Sequence, residues 1–125
     1  GRIVEAGSRS ARVLLLTDLN SRIPVVIESS RERAILSGDN SPRAHLAFLD
    51  EKAAIQEGDR VVTSGHGGMF PPGIPIGTVS WVTDGGGAVA PFADGDRLEF
   101  VSVLNYVVPG VLPSTRRAGR VEKLP

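Results

Sequence analysis

Cysteine is absent from the 125-residue chain, which excludes disulfides and thiolate metal sites and leaves the redox compartment open. Histidine is scarce: His45 and His66 stand 21 residues apart, without the short spacing that places two imidazoles on one metal. Long apolar runs are lacking too, since none exceeds Val13 to Leu16, far short of a membrane span. No signal-peptide pattern stands at Gly1, where the chain enters a strand-like run directly. Such a start reads as a piece of a longer protein, with any targeting signal or anchor upstream. Net charge is missing as well: 14 Lys and Arg balance 14 Asp and Glu, which gives no general warrant for binding nucleic acid or anionic membrane. The balance is uneven, because 111–125 holds Arg116, Arg117, Arg120 and Lys123 against Glu122 alone.

What the chain has in quantity is glycine and proline, 15 and 9 residues, set between short β-branched runs. That punctuation favours many short strands over long helices and reads as all-β, a small barrel or sandwich assembly. Ala11 to Thr17 fits either a strand buried on both faces or one short helical turn. Arg22 to Glu28 reads as a strand whose Pro24 argues for an edge or a bulge, because proline cannot donate to a ladder. Ala34 to Leu36 and His45 to Leu49 follow, separated by the turn signal Gly38 to Pro42. Asp50 to Asp59 is the best candidate for a helical turn, capped by Asp50, ended by Gly58 and pinned by Ile55. Glu99 to Leu104 reads as a strand, with Phe100 on one face and Val101 and Val103 on the other. The basic, proline-containing stretch 105–125 is expected to be flexible in isolation.

The organising stretch is Val61 to Val79, where two strand-like runs flank a connection built from Gly65, Gly67, Gly68, Pro71, Pro72 and Gly73. Glycines open backbone angles closed to other residues and prolines fix φ, so the connection is shaped and stiff at once. Met69 and Phe70 sit at its centre, where they either close the end of a barrel or form a rigid patch for another protein. Trp81 and Tyr106 carry the same two readings, as each has a polar atom suited to a core or to an interface rim.

Catalytic signatures do not assemble. Thr63 to Gly68 lacks the lysine and following Ser or Thr that a phosphate loop needs. Ser64 lacks the preceding glycine of a nucleophile elbow, and Asp94 with Asp96 more simply solvates a turn. The enzyme alternative is a serine hydrolase or protease-like domain using Ser64 and a histidine. No cofactor or metal set is expected.

Three stretches together resemble one family. Gly1 to Glu5 with Ser10 to Val25, then Gly58 to Gly65 with Gly68 to Val79, and finally Leu98 to Leu104 look like the central part of the bacterial rod shape-determining protein MreC. The resemblance covers roughly residues 1 to 105 and implies a non-enzymatic periplasmic scaffold of the cell-elongation machinery. It implies two small β-domains, one inserted in the other: 11–77 as the inserted barrel, with 1–10 and 78–104 as part of an outer domain whose opening strands lie outside this chain. It further implies anchoring to the inner membrane by a segment absent here, and contact with the elongation transpeptidase, a class B penicillin-binding protein, and with membrane shape proteins. Self-association is also implied. Met69, Phe70 and Ile74 are the residues expected to meet a partner, and a strand edge near Pro24 offers a second route for self-association.

Overall fold

Short runs of alternating apolar residues separated by Gly, Pro and Asp turns give eight strands in the computed structural model, which describes residues 1–50 and 52–105. β1 (Arg2–Ala6) and β2 (Ala11–Leu14) form a two-stranded antiparallel sheet. β3 (Arg22–Ile27), β4 (Arg33–Ser37), β5 (Ala44–Ala47), β6 (Arg60–Thr63), β7 (Pro75–Thr83) and β8 (Gly86–Pro91) close into a barrel in the order β3-β4-β5-β8-β7-β6. The chain is all-β, as the sequence indicates. Its only helical piece among the described residues is a single 3-10 turn at Gly95–Arg97, capped by the Asp94 side chain.

The barrel interior is filled by one side of each strand. Ile23, Val25 and Ile27 of β3 meet Ala34 and Leu36 of β4, Ala44 and Leu46 of β5, Val61 of β6 and Val89 of β8. Alanine at two of these inward positions suits a narrow six-stranded wall, which leaves little room at its axis. Closure demands strong bending, and β7 supplies it. Its register shifts against β6 leave Ile76 as an extra residue, and its shift against β8 does the same at Ser80. A bulge bends and twists its strand, which is how Ile76 and Val79, of opposite parity, both enter the core. At the second bulge the Ser80 hydroxyl donates to the Ala88 carbonyl at 3.2 Å. Gly77 lies so close to β8 that a Cβ there would strike the Ala90 carbonyl.

Strand pairing divides the chain differently from the boundaries expected at residues 11 and 77. β2 pairs with β1 and stays outside the barrel, while β7 runs straight across position 77 and, with β8, completes the barrel wall. The reason is in the ladders: β6 and β8 both need β7 as a neighbour. Pro24 likewise lies within a closed wall and not on an edge. Its strand pairs β4 along Arg22 to Val26, while the β6 ladder ends at Val25 opposite Thr63, so the missing amide falls just beyond the last β3–β6 pair.

Three other expectations change. Ala11 to Leu14 is a strand but a largely exposed one, because a two-stranded ribbon has no second layer to cover Val13. The described residues between Asp50 and Asp59 form turns and no helix: the Asp50 side chain accepts from the Lys52 N–H at 2.9 Å, its carbonyl accepts from the Ala53 N–H, and Ile55 packs on the core. Residues 98–105 form no strand, and Phe100 stands 79% exposed. Alternation alone does not make a strand where no neighbour offers a ladder. The flexible tail expected over 105–125, and Tyr106 with it, lies outside the described residues apart from residue 105.

The hairpin is moored to the barrel through the turn after β2. Leu16 packs on the core, the Asn40 N–H donates to the Thr17 carbonyl at 2.8 Å, and the Leu19 N–H donates to the Asn40 side chain at 2.9 Å.

Candidate functional site

The connection between β6 and β7 is built on one buried polar residue. Thr63 is only 3% exposed, and its hydroxyl donates to the Pro71 carbonyl at 2.6 Å while accepting from the Ile74 N–H at 2.8 Å. Its backbone closes the same gate, since its N–H donates to the Ile74 carbonyl at 2.9 Å and its carbonyl accepts from Gly73 at 2.8 Å. Within the loop the Gly68 N–H donates to the Gly65 carbonyl at 3.1 Å. Gly65 has a φ of 77° and sits against the Pro72 ring, close enough that a Cβ would meet it at 2.9 Å. Positive φ and the tight approach both call for glycine here. The loop is therefore a fixed shape.

That shape sorts the three residues singled out from the sequence. Met69 is 53% exposed, whereas Phe70 is half-buried and packs on the barrel core, and Ile74 is half-buried just before β7. The two readings of Met69 and Phe70 thus divide between the residues: Phe70 helps to close the barrel end and Met69 faces solvent.

Beside the loop lies an open groove of about 300 Å³ lined by Val26, Arg31, Arg33, Ser64, Gly65 and His66. Three neighbouring strands create it. Val26 pairs with Arg33 on one side and Val62 on the other, and the Ser64 N–H donates to the Pro24 carbonyl at 3.1 Å. The turn into β4 is held by Arg31, whose φ is 62° and whose N–H donates to the Ile27 carbonyl at 2.8 Å.

The groove brings Ser64 and His66 together without making a catalytic pair. The Ser64 hydroxyl accepts from the His66 backbone N–H at 3.1 Å, and no hydrogen bond joins it to an imidazole ring among the described residues. His45 is engaged elsewhere, its Nε2 2.6 Å from the Asp39 carboxylate. Among the described residues no group of three or more His, Asp or Glu side chains has the arrangement of a metal site. Trp81 lies on the outer wall with the Arg43 guanidinium 5.3 Å from its ring centroid.

Sequence reading missed Arg31 and Arg33, which look like the solvated start of a strand until the fold sets them beside Ser64 to His66. It also missed Phe48, 83% exposed at a φ of 64°. That kink lets the next residue, Leu49, turn into the core while its N–H reaches the Gly85 carbonyl at 3.3 Å.

Comparison with known proteins gives a consistent result. The model of the family described as "Rod shape-determining protein MreC, barrel core" matches residues 1–105. The cell shape-determining protein MreC of Cereibacter sphaeroides is 50% identical over 104 residues, covering 83% of this chain and 35% of the relative. That of Caulobacter vibrioides is 46% identical over 106 residues, covering 85% and 31%. The chain thus spans about a third of the length of these curated relatives. A solved structure described as MreC superposes with a TM-score of 0.72 at 39% identity, over 77% of this chain and 58% of the other. A complex between Penicillin-Binding Protein (PBP2) and MreC from Helicobacter pylori matches with a TM-score of 0.56 at 25% identity, over 64% of this chain and 53% of that one.

Proposed function

This chain belongs to the MreC family of cell shape-determining proteins, and we propose that it acts as a non-enzymatic periplasmic scaffold that organises peptidoglycan synthesis through protein contacts. The partner is the elongation transpeptidase, a class B penicillin-binding protein. This is supported by the Helicobacter pylori complex, in which a related MreC is bound to PBP2. Membrane shape proteins are further partners, and a segment outside this chain anchors the protein to the inner membrane. The serine-hydrolase alternative has no observation in its favour, since Ser64 and the two imidazoles make no catalytic hydrogen bond among the described residues.

The contact surface is the β6–β7 loop, with Met69 as its exposed member and Phe70 and Ile74 as its half-buried flank. The observation that carries this choice is the Thr63 tie, which holds Met69 in one place before any partner arrives, so little ordering entropy is lost on binding. The two-domain arrangement is part of the same reading. In it the barrel is one unit, and the β1–β2 hairpin and 98–104 belong to a second unit completed by strands from outside this chain. Self-association is assigned to the free edges of β1 and β2, because barrel closure leaves β3 none.

Calorimetric titration of the chain with the periplasmic domain of the transpeptidase tests the surface. Met69→Ala is expected to weaken binding about tenfold, equivalent to about 1.4 kcal/mol, with an unchanged circular dichroism spectrum. Unchanged affinity in a folded variant would move the interface away from this loop.

A further inference from the structure

The groove beside the loop has an unusual charge content for its size. Its lining carries two guanidinium groups, Arg31 and Arg33, and no carboxylate. Three arginines elsewhere among the described residues face a carboxylate, Arg12 with Glu5 at 3.7 Å, Arg60 with Glu28 at 3.4 Å and Arg97 with Asp94 at 3.6 Å, while Arg2, Arg9, Arg22 and Arg43 make no ion pair but line no groove with a second guanidinium. Arg31 and Arg33 take part in no ion pair among the described residues. Glu32, the acid between them in sequence, is half-buried and does not line the groove.

The floor is apolar and the rim polar. Val26 is buried yet stands outside the core cluster, so it faces the outer side of the wall beneath the arginines. Ser64 and His66 add a hydroxyl and an imidazole on the opposite side, on a segment whose path is fixed by the Ser64-to-Pro24 backbone bond. Guanidinium forks match carboxylates in bidentate fashion. They bind best where the surrounding groups are already held in place, and here strand pairing holds Arg33 and the turn holds Arg31.

From this geometry we propose that the groove formed by Arg31, Arg33, Ser64 and His66 receives carboxylate side chains of an acidic, apolar-interrupted peptide segment of a partner protein. The apolar residues of that segment meet Met69, which continues the same loop. The inference rests on the scaffold reading and adds the chemistry by which the partner is selected. Charge complementarity decides for a peptide carboxylate. The open shape admits a chain passing through, and the exposed Met69, three residues beyond His66 on the same loop, offers an apolar contact that a free ion cannot use.

The test is a titration of the full, isotope-labelled chain with the capped hexapeptide Gly-Glu-Leu-Glu-Leu-Gly, its Gln counterpart and inorganic phosphate, followed by amide chemical shifts. The Glu peptide is expected to give saturable shifts at Val26, Arg33, Gly65 and His66. The double variant Arg31→Gln with Arg33→Gln should weaken it by about tenfold or more, as loss of charged hydrogen bonds predicts. Equal binding of the Gln peptide, or shifts elsewhere only, would overturn the proposal. So would phosphate binding at the same residues as tightly as the peptide, which marks a generic oxyanion site. Measuring the transpeptidase domain against the same double variant separates the two readings: affinity that survives the arginine changes but falls with Met69→Ala sinks the groove and leaves the scaffold standing.

Discussion

Thr63 concentrates more structural consequence than any other side chain of the loop. A buried hydroxyl that both donates and accepts has no water to fall back on, so removing it strands the Pro71 carbonyl and the Ile74 N–H. Thr63→Val is close to isosteric and is expected to cost about 1–3 kcal/mol. A fall in the urea midpoint and faster hydrogen exchange at the Ile74 amide would check it, and Thr63→Ser should retain most of both. Asp39 makes a second prediction. The Ser41 side chain and backbone N–H, followed by the His45 ring, hold its carboxyl down at about 2 from an ordinary 3.8. A carboxyl whose folded value is depressed lends stability above its unfolded value and loses it as pH falls toward the folded one. Thermal stability is therefore expected to decline as acidity passes from about pH 4 toward pH 2, a decline that Asp39→Asn should flatten in a melting series.

Among the elements, the β6–β7 loop and β7 itself separate what sequence patterns reveal from what they conceal. Phe70→Ala is expected to destabilise by about 2 kcal/mol because a half-buried, core-packed ring is removed, whereas Met69→Ala should stay within about 0.5 kcal/mol. Chemical denaturation of the two variants side by side checks the division of roles. The loop was legible because glycine, proline and a β-branched flank state their backbone demands locally. The strands at Ala34 to Leu36 and Val61 to Thr63 were legible for the same reason, their apolar runs being bounded by turn signals. The bulges at Ile76 and Ser80 were not, since an extra residue is defined only by the strand across from it. Residues 98–105 have the right alternation and no ladder, a condition that only the whole assembly can supply or withhold. The groove was illegible for a similar reason: Arg31 and Arg33 acquire their setting from β3 and β6.

At the scale of the whole molecule, barrel order departs from chain order. β8 stands between β5 and β7 and pairs with both, although β6 and β7 are made before it. A chain truncated after Thr83 is expected to lack dispersed amide resonances and to bind hydrophobic dye, since neither β5 nor β7 then has its second neighbour. The same order governs how the protein first comes into being. During synthesis, the strands through β7 emerge as an open sheet with two raw borders. Only Gly86–Pro91 converts it into a ring. Such non-local pairing is slow to nucleate, because loop-closure entropy must be met before the contacts that reward it. The six residues of β8 thus act as a latch, and until they arrive the nascent chain depends on whatever shields exposed strand borders in the compartment where it folds.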